Sequence, residues 1–313
     1  MVETALVLGA AGGIGGETVR ALNAKGWRVR AFNRTRSGVD GDGVDWVRGD
    51  ALDAAAVAEA AEGASVIVHA VNPPGYRNWE RLVLPMLEST RQAARASKAT
   101  IVLPGTVYNY GSDALPILAE DAPQRPTTKK GKLRVEMEAR LQAFARAGGQ
   151  AIVLRCGDFF GPRAGNNWFA QVVQPGRRLT RIVRIGRRGL AHQWAYLPDV
   201  AGTLARLIER RAALPAFAAY QFRGHWDETG MTMIDAVRRA AARPELKVRS
   251  FPWTLTMGLS PFVPLFRELR EMRYLWKTAV YMGNDKLLGV LGDEPHTSWD
   301  EAVREAMRGL GCL

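Results

Sequence analysis

A glycine-rich turn near the amino terminus limits the folds open to this chain more than any other segment. TALVL (Thr4–Leu8) is a short apolar run, and VLGAAGGIGGETV places Gly9, Gly12 and Gly15 directly after it. Ile14–Lys25 then shows helical spacing, and WRVRAF (Trp27–Phe32) reads as a second strand. Gly9 permits the tight turn, and a side chain at Gly12 would block the approach of a pyrophosphate to the backbone. Gly15 lets the helix pack against the strand, and the helix start, with Gly13 and Ile14, offers its free N–H groups to phosphate. Strand, turn, helix and second strand together predict a dinucleotide-binding βαβ unit.

The same rhythm continues to about residue 155. Val44–Gly49, Ala64–Ala70, Ala99–Pro104 and Gln150–Arg155 are strand-like, and helices are predicted near Asp53–Ala61, Asn78–Ser97 and Thr128–Ala147. Apolar strands separated by amphipathic helices indicate a parallel sheet covered on both faces, so the fold class expected is a Rossmann-type, doubly wound α/β domain. Beyond Arg155 the order becomes irregular. We expect residues 1–165 to form the nucleotide domain, with strand and helix returns near 181–211, and 166–313 to form mainly a smaller α/β substrate lobe. Asp199 is expected to cap one helix and Ser298 or Thr297 another, with Glu301 completing a capping box. The apolar run Phe251–Phe266 reads as an irregular cap over a pocket, because it lacks the Lys/Arg-rich opposite face of an interfacial helix.

The end of the second strand reports on the cofactor. Asn33, Arg34, Thr35 and Arg36 follow Phe32, and no carboxylate comes before Asp40. An Asp or Glu there would bind a ribose diol and repel a 2′-phosphate, whereas a guanidinium pairs with that phosphate. Arg34 therefore favours NADP(H) over NAD(H). The net charge of +12 attracts anions generally. Six arginines between Arg177 and Arg188 suit either a diphosphate or a half-exposed strand. Aromatic residues do not interleave with them as a nucleic-acid surface would require, so nucleic acid is not an expected partner. Two cysteines and four scattered histidines form no ligand spacing, so neither a disulfide framework nor a metal site is expected. No stretch reaches the ~20 apolar residues of a membrane span. The expectation is a cytoplasmic protein, monomer or homodimer, with a small-molecule substrate.

The GxxGxxG spacing resembles the short-chain dehydrogenase/reductase superfamily, in its extended or atypical NAD(P)-dependent epimerase/dehydratase branch. Further segments are similar in the same order. Arg48–Asp53 looks like the acidic turn after the third strand, which implies that Asp50 and Ala51 meet the adenine. Val68–Asn72 looks like the loop along the cofactor ribose, implying contacts from Ala70, Val71 and Asn72. LRCGDFFGP (Leu154–Pro162) is similar to the branch's "LR…N…GP" segment, with Gly157 beside the cofactor and Asp158 where Asn is usual. Asn166 and Asn167 then fall among substrate-contacting positions. The substrates implied carry a hydroxyl or carbonyl, nucleotide-linked and phosphorylated ones among them.

The branch's catalytic set is a Ser/Thr and a YxxxK pair. PGTVYNYG (Pro104–Gly111) resembles its Ser/Thr segment, which puts Thr106 in that role with Gly105 beside the cofactor. In TTKKGKLRVEME, a Glu four residues after the Lys aligns Lys132 with Glu136 and leaves Thr128 at the tyrosine position. An aliphatic hydroxyl is far too weak an acid to replace a phenol of pKa ~10. Three explanations compete: Tyr108 or Tyr110 supplies the proton, the cofactor or the substrate supplies the proton step, or the chain binds NADP(H) as a regulator or scaffold without turnover.

Overall fold

The computed structural model describes residues 2–73, 78–165 and 167–313. Nine short and long strands span the first half and the crossover: β1 (Thr4–Leu8), β2 (Arg28–Asn33), β3 (Gly38–Val39), β4 (Asp45–Arg48), β5 (Val66–His69), β6 (Thr100–Thr106), β7 (Ile117–Leu118), β8 (Ala151–Cys156) and β9 (Asp158–Phe160). Between them run helices α1 (Gly13–Ala24), α2 (Ala54–Ala60), α3 (Trp79–Ser97) and α4 (Lys129–Arg146). The second half contributes α5 (Trp168–Val173), β10 (Ile182–Arg184), β11 (His192–Tyr196), α6 (Leu197–Glu209), β12 (Phe217–Phe222) and β13 (His225–Asp227). It ends with α7 (Thr232–Ala240), β14 (Val248–Ser250), α8 (Trp253–Leu259), α9 (Pro264–Glu271), β15 (Tyr281–Met282), α10 (Asp285–Leu291) and α11 (Trp299–Gly309).

Eight strands form one sheet in the order β12-β8-β6-β5-β1-β2-β4-β3, parallel except for the antiparallel β3–β4 edge. The chain builds outward from β1 through β2 to β4, then returns to β5 and builds the other way. That reversal opens a crevice at the carboxyl end of β1, the switch point where such sheets take ligands. Every residue of β1 is buried. Ala5 and Val7 join the apolar layer under α1, α6 and α10, while Leu6 and Leu8 join the layer under α2, α3 and α4. Burial on both faces explains why the sheet strands read as unbroken apolar runs.

The second lobe holds its own core, with Phe160, Trp168, Phe169, Trp194 and Trp276 at its centre. Its strands form a β13-β11-β9 sheet and the two pairs β10–β14 and β15–β7. The returns to the main sheet differ from expectation. The strand near residue 182 pairs with β14, and the elements that go back are α6, β12 and α10. Asp199 also does not cap a helix. The α6 helix begins at Leu197, and the Asp199 carboxylate instead accepts the Thr297 N–H at 2.8 Å and hydroxyl at 2.7 Å. Ser298 caps α11 as expected, its hydroxyl accepting the Glu301 N–H.

Candidate active site

The crevice at the end of β1 continues into a cavity of about 670 Å³. Its nucleotide end is built by the glycine turn. Gly9 has φ +78°, and a Cβ there would lie 2.6 Å from the Ala70 carbonyl oxygen. A Cβ on Gly15 would lie 2.3 Å from the Gly9 oxygen, so this residue secures helix-to-strand packing and does not itself face the cavity. Gly12, Gly13 and Ile14 do face it. Gly13 has a further role that sequence reasoning missed: it lets the Arg163–Ala164 loop approach, since a Cβ would meet the Arg163 oxygen at 3.0 Å. Gly12 offers no capping side chain and the first turn of α1 has no acidic residue, so the turn presents N–H donors and a partial positive charge. That chemistry fits a pyrophosphate.

At the end of β2, Asn33 is buried and its Oδ1 accepts the Thr35 N–H at 2.9 Å and the Arg36 N–H at 2.7 Å. These bonds fix the turn, and Arg34 projects from it, exposed, at the cavity wall. The neighbouring Arg36 guanidinium instead lies over the Trp46 ring, 4.9 Å from its centre. Asp50 and Ala51 also line the cavity, with Asp50 Oδ1 accepting the Leu52 N–H at 3.0 Å. Ala70, Val71 and Asn72 line the middle. His69, beside them, is buried, and its Nδ1 lies 2.7 Å from the Thr90 hydroxyl. Thr90 already donates to the Met86 carbonyl, so His69 Nδ1 must be the donor. Burial, with the Arg134 charge adding to it, holds the His69 imidazole down at about 3, and the ring is neutral.

At the other end Thr106, Tyr108, Gly157, Asp158 and Asn167 share the cavity. Thr106 Oγ1 accepts the Tyr108 N–H at 3.2 Å, which sets the turn that carries Tyr108. Tyr110 is buried away from the cavity, and burial pushes its phenol up. Gly105 of β6 also lies outside, packed against β8, where a Cβ would meet Val153 at 3.1 Å. Asp158 is buried and bonded to His192 Nε2 at 2.9 Å. Asn167 caps α5 through its Oδ1, and its Nδ2 has no partner among the described residues. Asn166 lies outside the described residues. The Arg177–Arg188 arginines are absent from the cavity wall, so the diphosphate reading of that run does not match its position.

Two expectations about α4 need correction. Thr128 caps the helix, its Oγ1 accepting the Gly131 N–H at 2.9 Å, and it does not line the cavity. Lys132 is exposed and is not among the residues that line the cavity. The α4 cation that lines the cavity is Arg134, two residues on, with Nη2 donating to Asn72 Oδ1 at 3.1 Å and the guanidinium 5.1 Å from the Trp79 ring centre. The reason is helical phase. Glu138, four residues after Arg134, is buried and takes two bonds from Arg155 of β8, at 3.0 and 2.7 Å. Glu136 is exposed and pairs only with Arg140 among the described residues. Four residues before Arg134 stands Lys130, buried and paired with Glu271 of α9 at 2.7 Å.

Residues far apart in sequence also meet where α6 adjoins the second lobe: ligand atoms of Asp199, His225 and His296 lie within 4.8 Å of one another. Both Asp199 oxygens are taken by Thr297, and His225 Nε2 lies 2.6 Å from the Thr297 carbonyl.

The doubly wound sheet and its glycine cradle define a nucleotide-binding protein of the Rossmann type. The family profile described as the NAD dependent epimerase/dehydratase family matches residues 5–221, and the chain belongs to that family. Its fold is similar to UDP-glucose 4-epimerase from Brucella ovis in complex with NAD, with TM-score 0.77 and 18% identity over 100% of this chain and 99% of that one. A putative epimerase from Burkholderia cenocepacia superposes with TM-score 0.77 and 19% identity, covering 98% of each chain. The UDP-glucose 4-epimerase from Bifidobacterium longum in complex with NAD+ and UDP gives TM-score 0.75 and 17% identity, over 98% of this chain and 97% of that one. Among curated proteins, sterol demethylase protein B of Methylococcus capsulatus is 40% identical over 81 residues, a quarter of the length of each chain.

Proposed function

We propose that the chain binds NADP(H) and moves a hydride at a hydroxyl or carbonyl carbon of a small, nucleotide-linked or otherwise phosphorylated substrate. The observation that carries this reading is one cavity running from the glycine cradle and Arg34 to Thr106, Tyr108 and Arg134. A dinucleotide laid along the cradle brings its 2′-phosphate to Arg34, with no carboxylate at that turn to repel it. When bound, the cofactor supplies or takes the hydride.

With Glu138 as the buried glutamate of the pattern, the family's lysine position falls on Arg134 and its tyrosine position on Lys130, not on Lys132 and Thr128. Both usual residues are then replaced. We assign the proton to Tyr108: in carbonyl reduction the carbon gains the hydride while the Tyr108 hydroxyl gives its proton to the oxygen. The Thr106 hydroxyl orients that oxygen, and the Arg134 guanidinium holds polar groups of the ribose or substrate as a fixed donor. Asp158 and Asn167 face the substrate end.

The cofactor assignment is tested by titrating NADPH and NADH against wild type and Arg34→Ala. An exposed guanidinium-to-phosphate pair is worth about 1 kcal/mol, so NADPH should weaken roughly fivefold in the variant while NADH is unchanged. Equal wild-type affinity for the two cofactors would sink it. Turnover of carbonyl substrates that disappears in Tyr108→Phe supports the enzyme. Tight NADPH binding with no turnover, equal in Tyr108→Phe, favours the non-enzymatic regulator suggested by the lost Tyr and Lys.

A further inference from the structure

Helices α8 and α9 form a hairpin on the second lobe, joined by residues 260–263. Its base is fixed. Trp253 Nε1 donates to the Ile185 carbonyl at 2.9 Å, and the ring lies 5.8 Å from that of Trp168 on the cavity wall. Thr256 and Ser260 are buried, which turns the opposite face of α8 to solvent. On that face Leu255 is 57% and Leu259 39% exposed, one helical turn apart, and Phe262 at the tip is 82% exposed. Gly258 and Pro261 are exposed with them. Single exposed apolar residues need no explanation, but a contiguous apolar tip marks a contact surface.

The charge around this tip comes from other segments, which is why the run Phe251–Phe266 shows no basic face of its own. Arg267 and Arg270 of α9 are exposed beside it, and Arg270 Nη1 donates to Ser260 Oγ at 3.2 Å. The Arg273 guanidinium lies over the Trp253 ring, 5.5 Å from its centre. At the base, Arg187 and Arg188 are exposed just beyond Ile185, the residue that holds Trp253. Part of the unexplained arginine run therefore sits next to the hairpin.

We propose that the α8–α9 hairpin docks on an anionic phospholipid surface, with Leu255, Leu259 and Phe262 entering the headgroup–acyl boundary and the flanking arginines pairing with lipid phosphates. Apolar tip, arginine collar and a net charge of +12 form the complement of such a surface. No described helix is long and apolar enough to cross a membrane, so the contact is peripheral. A second copy of the chain fits the tip less well. Three large side chains fall far short of the ~800 Å² per partner of a stable interface, and two such tips would oppose their arginines.

The test is co-sedimentation of the full chain with vesicles of phosphatidylcholine alone and of phosphatidylcholine mixed with phosphatidylglycerol. Binding should be confined largely to the mixed vesicles, weaken with added salt, and fall about fivefold for each surface arginine removed, as in Arg267→Gln. Leu259→Asp combined with Phe262→Asp should lower it by more than about tenfold while circular dichroism and the unfolding midpoint stay at wild-type values. Failure to bind mixed vesicles, or binding that both variants leave unchanged, overturns the proposal. So does a concentration-dependent dimer that Phe262→Asp abolishes without any vesicle binding, since the tip would then belong to a second copy.

Discussion

Replacing Glu138 by Gln tests the register of α4, on which the reading of the site depends. Glu138 accepts two bonds from Arg155, one from Asn109 at 2.8 Å and one from Gln124 at 2.7 Å. All four donors are satisfied by one carboxylate, and the pair is more than nine-tenths buried. Burial works against the Arg155 charge, and the bonds and charge of Glu138 more than offset it, so the guanidinium is held above its ordinary value. In Glu138→Gln the amide NH₂ faces donors on every side, and the Arg155 cation loses its counter-charge inside the protein. Breaking a buried pair in this way costs about 3–5 kcal/mol, a large share of the ~5–15 kcal/mol of a typical protein. The control is Glu136→Gln, which loosens only a half-exposed pair to Arg140 worth about 0.3–0.5 kcal/mol. Urea unfolding followed by circular dichroism should show a drop in midpoint for Glu138→Gln and almost none for Glu136→Gln. NADPH affinity should fall with the first variant, because α4 also carries Arg134. Equal effects, or a loss below about 1 kcal/mol for Glu138→Gln, would refute the register and restore Lys132 as the candidate.

The position of Thr128 leads to a second expectation. Thr128→Ala removes a helix cap, so it should cost about 1 kcal/mol of stability while leaving cofactor affinity intact; a loss of NADPH binding at unchanged stability would return Thr128 to the site. A third concerns pH. Burial holds His69 at about 3, and burial aided by the His296 charge holds His225 at about 4, both below the ordinary value near 6.5. A depressed folded value means that the stabilisation is complete above pH ~6.5 and is lost as pH falls towards the folded values, at about 1.4 kcal/mol per unit for each ring. Between pH 7 and 5, wild type should therefore lose about 2 kcal/mol more than His69→Gln, measured by urea unfolding; parallel curves would contradict the buried neutral ring.

Sequence reasoning reached the first half of the fold because the central strands β1, β5, β6 and β8 are buried along almost their whole length and the first turn carries its own chemistry. The run from β1 to α1 needed only local rules: apolar strand, glycine turn, helix. It failed on α4 for a specific reason. The buried face of that helix begins with Lys130, Gly131 and Arg134, and apolar side chains mark it only from Met137 on, through Leu141, Phe144 and Ala145, so apolar periodicity does not by itself fix the phase of the first turns. Of two glutamates two residues apart, Glu136 is the one that follows a lysine by four, whereas Glu138 follows Arg134, and the two lie on different helix faces. Only Arg155, brought alongside Glu138 by the β6–β8 pairing of the sheet, separates them. Asp199 was misread in the same way, because its partner Thr297 lies 98 residues further along the chain.

The corrected register also narrows the chemistry open to the site. In the usual arrangement a tyrosine moves the proton and a lysine tunes it. Here Lys130 is held by a buried bond to Glu271, whose Oε1 also accepts the Lys130 N–H at 3.0 Å, so the residue fastens α9 onto the start of α4. Arg134 cannot replace it as an acid, since a guanidinium keeps its proton at any pH the protein survives. It can fix a hydroxyl or phosphate oxygen, and its bond to Asn72 aligns it with the loop that lines the cofactor crevice. His69 is neutral and bonded to Thr90, with Nδ1 already the donor in that bond. Among the described residues at the Thr106 end of the cavity, away from Asp50, the remaining acidic side chains are the phenol of Tyr108 and the carboxylate of Asp158. Asp158 is braced by His192, which stacks on Trp276 at 3.8 Å, well back in the second lobe. Tyr108 instead stands on the turn set by Thr106, and both residues line the cavity. That placement makes Tyr108→Phe the substitution that separates catalysis from cofactor binding in this chain.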